Sequence, residues 1–117
     1  MDISYELRAR VAIEGEGFRK ARALGQNFIL DESLISALLD AAGVGPDDFV
    51  LEIGPGAGVM TALLSDRCAR VLSVEIDEKL RPVLDAVLEG KKNVRLEFAD
   101  VMRINLSKLA GAAFDGR

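Results

Sequence analysis

Residues 49–58 read Phe49-Val50-Leu51-Glu52-Ile53-Gly54-Pro55-Gly56-Ala57-Gly58, a short apolar run followed by glycines at alternate positions. Five residues is strand length, and glycine lets the backbone turn sharply and approach a neighbour closely. Val59, Met60, Leu63 and Leu64 then fall at helical spacing. A strand that runs through a glycine turn into a helix is the opening of a parallel βα unit. The pattern repeats downstream. Val71-Leu72-Ser73-Val74 predicts a second strand ending at Glu75. Asp77 can cap a helix with Leu80, Val83, Leu84, Val87 and Leu88 on one face, closed by Gly90, and Pro82 falls near its first turn. Val94–Phe98 predicts a third strand, with Asp100 just beyond it.

Strand, helix, strand, helix, strand is the first βαβαβ half of a Rossmann-like α/β fold, and right-handed crossovers give strand order 3-2-1. Upstream, Ile3, Leu7 and Val11 suggest a short amphipathic helix over 3–12. Residues 18–30 read as a loop. Asp31 can cap a helix through about Ala42, with Leu34, Ile35, Leu38, Leu39 and Ala42 apolar and Gly43 at its end. Gly45-Pro46-Asp47-Asp48 reads as a turn, and residues 101–117 are weakly patterned.

The 117 residues are enough for one domain. No apolar run approaches the roughly 18–20 residues of a membrane span, and the charged start MDISYELRAR is unlike a secretory signal. A soluble, cytoplasmic protein is expected. There is no histidine, and Cys68 is the single cysteine, so an internal disulfide and zinc or histidine chemistry within the chain are excluded. The net charge of −4 argues against a nucleic-acid binder taken whole. Residues 1–25, however, hold five basic and four acidic groups, a balance of +1, against −5 for the remainder. Arg19-Lys20-Ala21-Arg22 is the local basic cluster; it reads equally as a solvated charge run.

Three features sit where such a fold binds ligands, at the carboxyl ends of the strands. They are the Gly54–Gly58 turn, Glu75 and Asp100. An acid at the end of the second strand commonly bonds ribose hydroxyls. A carboxylate at the third strand end can accept from an exocyclic amine such as adenine N6. Taken singly, each is also a tight turn or a solvated acid; together they favour an adenosine pocket. The dinucleotide fingerprint G-x-G-x-x-G is not met, because its last position is Val59. Glu52, just before the turn, suits a cationic ligand better than a diphosphate. S-adenosylmethionine fits, and no P-loop motif is present.

Leu24-Gly25-Gln26-Asn27-Phe28-Ile29-Leu30-Asp31, followed by Val50–Gly58 and Val74-Glu75-Ile76-Asp77, closely resembles the ribosomal RNA adenine N6-dimethyltransferases (KsgA, RsmA and Dim1). Gly17–Arg22 resembles the lead-in of the bacterial members, and the likeness weakens after Val101. The resemblance implies that Asn27 and Ile29 line the cofactor pocket, that the Gly54 backbone meets the methionine part, and that Glu75 holds the ribose hydroxyls. It implies that Ile76 packs on the adenine and that Asp100 accepts from adenine N6 beside the Val101 backbone. Read locally, Asn27 is a loop residue bonding its own backbone. The resemblance further implies an RNA adenine drawn from its stack into a pocket. Its N6 would be oriented by an Asn-Leu-Pro-Tyr-like motif for in-line attack on the sulfonium methyl, twice on each of two adjacent adenosines of small-subunit rRNA.

That catalytic motif is absent. The prolines are Pro46, Pro55 and Pro82, preceded two residues earlier by Val44, Ile53 and Leu80. The resemblance places the motif beyond Arg117, so no catalytic residue is expected in this chain. It is therefore read as an amino-terminal fragment. Residues 1–30 are expected to form a helix and cofactor-contacting loop, and 31–117 part of an S-adenosylmethionine-binding domain with no methyl-transfer apparatus. Expected partners are small-subunit rRNA or the 30S precursor, no membrane, and other copies of the chain through the exposed strand 49–53. A macrolide-resistance 23S rRNA methyltransferase, an assembly factor retaining the pocket and, more distantly, an NAD-binding module are the competing readings.

Overall fold

A computed structural model of the chain describes residues 3–15 and 29–115. Its centre is a three-stranded parallel sheet, β1 (Phe49–Ile53), β2 (Arg70–Glu75) and β3 (Val94–Phe98), in the order β1-β2-β3. This is the expected 3-2-1 arrangement, with β1 at one edge. Phe49 pairs with Arg70 and Ile53 with Val74; Val71 pairs with Val94 and Glu75 with Phe98. The in-step register brings all three carboxyl ends to one edge of the sheet. Gly54 N–H donates to Val74 O at 2.9 Å and Ala99 N–H to Glu75 O at 2.9 Å, extending the ladders into the loops beyond.

One face of the sheet is covered by α1 (Tyr5–Gly15), α2 (Glu32–Ala42), α3 (Val59–Arg67) and α4 (Arg81–Val87). Ile35, Leu39, Val59, Ala62, Leu64, Val83, Leu84 and Val87 bury there with Val71. The caps expected for α2 are present: Asp31 accepts from Leu34 N–H at 3.1 Å, and Gly43 closes the helix at φ +72°. Asp77 caps a short 3₁₀ turn, Glu78–Leu80, that leads into α4, with Pro82 in the first turn. The other face carries Leu72 and Val74 under α5 (Leu106–Asp115), and Phe49 stacks on Phe114 with ring centroids 5.2 Å apart.

Two expectations need correction. The weakly patterned tail contains α5, started by Asn105, whose side chain accepts from Lys108 N–H at 3.0 Å. Its apolar positions, Leu106, Leu109, Ala110, Ala113 and Phe114, do fall at helical spacing and pack together on Leu72 and Val74, so the helix is legible in the sequence. At α1 the expected face is reversed: Ile3, just before the helix, and Leu7 and Val11 within it are exposed, while Ala9 is buried and Tyr5, Ala12 and Ile13 pack half-buried against the core. Small Ala9 admits close packing on α4. The Tyr5 hydroxyl meets Asp66 at 2.6 Å and also accepts from Lys91, so its polar tip is satisfied. Cys68 is buried with its thiol outside any disulfide, and burial raises its pKa.

Gly58 is where the chain demands glycine. Its φ is +88°, and an added Cβ would sit 2.9 Å from Leu84 Cδ2 and 3.5 Å from Val87 Cγ1. α4 therefore packs directly on the backbone that starts α3. Gly54, at φ +73°, has nothing within 4 Å of such a Cβ. Gly58→Ala combines left-handed strain with overpacking and should destabilise the chain by about 2–4 kcal/mol. Gly54→Ala meets the strain alone, about 1–2 kcal/mol. Urea denaturation of the two variants checks this ordering.

Candidate functional site

The carboxyl edge of the sheet gathers the Gly54–Gly58 turn, Glu75 and Asp100. The turn is built from positive-φ glycines at 54, 56 and 58, and closed by Gly58 N–H donating to Pro55 O at 2.9 Å. Its far end starts α3, whose Ala62 N–H donates to Gly58 O.

Glu75, at the end of the central strand, is only 6% exposed. Its two oxygens accept from Gly56 N–H at 3.2 Å and Asp77 N–H at 3.0 Å. The carboxylate thus bridges the glycine turn and the turn after β2. Next to it, Ile76 is 68% exposed, an apolar side chain laid open beside a buried carboxylate. Asp100 is half-buried; it accepts from Met102 N–H at 2.9 Å, and Arg103 Nε stands 3.7 Å from its other oxygen. The bond from Ala99 to Glu75 O keeps Asp100 on the same edge.

Gly54, Glu75 and Asp100 are therefore brought together as the strand pattern implied. Ile29 is exposed on the lead-in to Asp31, and no described contact joins it to the three strand-end features. Asn27 and the basic residues Arg19, Lys20 and Arg22 lie outside the described residues. So does Arg117, beyond which the resemblance places the catalytic motif.

The structure adds two residues that the sequence motifs did not single out, Thr61 and Ser73, and turns Glu52 toward them. Glu52, 9% exposed, accepts from the Thr61 hydroxyl and, at 2.7 Å, from the Ser73 hydroxyl, both on Oε1. Thr61 and Ser73 are themselves fully buried. The signal available was register: Glu52 pairs with Ser73 across β1 and β2, and Thr61 occupies the first turn of α3. Burial raises the Glu52 pKa above its ordinary value; the two hydroxyl bonds oppose the rise and nearby Glu75 adds to it.

A parallel sheet wound with helices, carrying a glycine turn and acids at its strand ends, is the opening part of the class I methyltransferase architecture. Comparison with known proteins agrees. The family described as ribosomal RNA adenine dimethylase matches residues 17–113, past Val101 where the recognisable motifs thin out. The small-subunit rRNA methyltransferase A of Alkaliphilus metalliredigens is 34% identical over 110 residues, 94% of this chain and 38% of that protein. Its Geobacter metallireducens counterpart is 39% identical over 104 residues, 89% of this chain and 37% of that protein. The crystal structure of the 23S rRNA methyltransferase ErmE superposes with a TM-score of 0.60 at 38% identity, covering 68% of this chain and 32% of that one. The chain belongs to the ribosomal RNA adenine dimethylase family. It spans less than two-fifths of the length of these two curated relatives.

The raised Glu52 pKa has a measurable consequence. Its protonated form is favoured in the folded state, so this contribution to stability is complete below the ordinary value of 4.5. It is lost as pH rises through the higher folded value. Glu52→Gln keeps an acceptor for both hydroxyls and does not titrate. The stability of Glu52→Gln relative to the unmodified chain should therefore increase as pH rises above 4.5, then level off. Urea midpoints of the two proteins across a pH series test this, and a constant difference contradicts it.

Proposed function

We propose that this chain is the S-adenosylmethionine-holding part of an rRNA adenine N6-dimethyltransferase that acts on two adjacent adenosines near the 3′ end of small-subunit rRNA. The observation that carries the reading is the joint placement of the Gly54–Gly58 turn, Glu75 and Asp100 on one sheet edge in a chain of this family. The names of the two relatives support the small-subunit target.

The residue roles follow from chemistry. Glu75 accepts ribose hydroxyls, either on its remaining lone pairs or by releasing Gly56 N–H. Exposed Ile76 supplies an apolar face for the adenine. Asp100 accepts from adenine N6, with the Val101 backbone beside it. The open space over Gly54 admits the amino-acid end, and Asn27 and Ile29 complete the pocket from the amino-terminal segment. Residues 1–30 serve as that segment and 31–117 as the partial cofactor domain. The setting is the cytoplasm, and the basic cluster at Arg19, Lys20 and Arg22 meets RNA phosphate of the 30S precursor. No Asn-x-Pro occurs between Met1 and Arg117, so the chain itself binds cofactor without transferring methyl.

Calorimetric titration with S-adenosylmethionine is the direct test, and NAD preference in its place would overturn the reading. Glu75→Ala should weaken binding roughly tenfold or more, the worth of one charged acceptor. Asp100→Ala should erase discrimination between the adenine cofactor and its hypoxanthine analogue, because a carboxylate accepts from an amine and repels a carbonyl oxygen. If the unmodified chain binds both analogues equally, Asp100 is not in the pocket. Incubation with labelled cofactor and undermodified 30S subunits should give no transfer by this chain; transfer would refute the division of labour. The likeness to ErmE favours a second reading, a 23S rRNA target. Tighter binding of the chain to 23S than to small-subunit RNA would select it.

Strand β1 supports a further expectation. It borders the sheet with Leu51 37% and Ile53 50% exposed. Unpaired backbone beside apolar side chains recruits other strands. The chain should self-associate through β1, and light scattering that shows a monomer at high concentration contradicts this.

A further inference from the structure

Glu52 and Glu75 are the buried carboxylates among the described residues, and both lie on the helix-covered face of the sheet beside the Gly54–Gly58 turn. Glu75 reaches it through Gly56 N–H. Glu52, next to last in β1, ties the strand that leads into the turn to Ser73 on the central strand and to Thr61 in the first turn of α3, the helix into which the turn leads. A hydroxyl in a helix ordinarily has a backbone carbonyl of the preceding turn to bond. The Thr61 hydroxyl donates instead to Glu52, and Ser73 donates to the same oxygen.

We infer that Glu52 is a positioning residue: through Thr61 and Ser73 it sets the Gly54–Gly58 turn between β2 and α3, and so orients the backbone that meets the amino-acid end of the cofactor. The inference rests on the cofactor reading proposed above. It separates the two acids by what the ligand does to them. Ribose hydroxyls draw on Glu75, the same carboxylate that holds Gly56, so that grip is open to competition from the ligand. Neither hydroxyl on Glu52 belongs to a residue assigned to the ligand, so the Glu52 grip persists when the site fills. Its effect is confined to the part of the ligand that faces the turn.

The test compares S-adenosylhomocysteine with adenosine, which lacks the amino-acid tail. Binding of both to the chain is measured by calorimetric titration and competition for the unmodified protein, Glu52→Gln, Glu52→Leu, Thr61→Val and Ser73→Ala. Glu52→Gln, which can accept both hydroxyl bonds, should stay within about threefold for both ligands. Glu52→Leu and Thr61→Val should lose roughly tenfold for S-adenosylhomocysteine, with adenosine unchanged within about threefold. Thr61→Val preserves shape and keeps the test intact if Glu52→Leu fails to fold. Unchanged S-adenosylhomocysteine affinity in Thr61→Val and in every folded Glu52→Leu sample overturns the inference. A parallel loss of both ligands overturns it too, because that is general damage to the fold. Failure of the unmodified chain to bind either ligand overturns the cofactor reading and this inference with it.

Discussion

The close approach of α4 to Gly58 is the constraint on which the rest of the molecule depends. A Cβ on residue 58 would crowd Leu84 Cδ2 at 2.9 Å and touch Val87 Cγ1 at 3.5 Å. Because that atom is missing, α4 seats against the start of α3, and its buried residues close the core over Val71. The same residue takes the positive φ that turns β1 into α3. One position thus couples the local bend to the packing between helices, and the turn is held in place by the core beneath it. The site inherits its geometry from packing made elsewhere in the chain.

The two faces of the sheet are finished unequally. Four helices cover the face that carries Val71, Ser73 and Glu75, and β2 is buried from Val71 to Glu75. On the opposite face α5 covers Leu72 and Val74 but leaves Leu51 and Ile53 of β1 in contact with solvent. Burying an aliphatic side chain is worth about 1.5–3 kcal/mol, so two half-covered residues are a substantial unused contribution. The exposed Leu51 and Ile53 thus lie on the strand that, among the described strands, pairs on one side only.

Legibility followed the range of the interaction that set each element. β1 and β3 begin and end where their apolar runs do, because strand length and period are written locally. Asp31, Gly43 and Asp77 were equally readable, since a cap acts on its own helix. The strand-end acids Glu75 and Asp100 could be placed because parallel order fixes which end of each strand shares an edge. The α1 face could not: Ile3, Leu7 and Val11 make the better apolar stripe, yet Ala9 is chosen because helix approach rewards small size over hydrophobicity. Helix α5 was legible but passed over: Leu106, Leu109, Ala110, Ala113 and Phe114 keep helical spacing on the face that meets Leu72 and Val74. Thr61 and Ser73 carried no local sign at all; their meaning comes from the pairing of Glu52 with Ser73 and from the way α3 folds back over β1.

Two glutamates at successive strand ends therefore have different chemistry because of what faces them. Glu75 is held by backbone N–H groups of Gly56 and Asp77, donors that point from loops a ligand can reach. Glu52 is held by hydroxyls from the core side, in surroundings whose desolvation outweighs those bonds and favours its protonated form. Ionising both would place two charges around one turn in a medium that screens them poorly. Burial raises the Glu52 pKa and nearby Glu75 adds to the rise, and either protonation state leaves an acceptor for Thr61 and Ser73. The glutamate beneath the turn thus ties β1 to Ser73 and Thr61 through hydroxyls, while Glu75 spans the backbone of Gly56 and Asp77, so the two acids act on the turn through different neighbours.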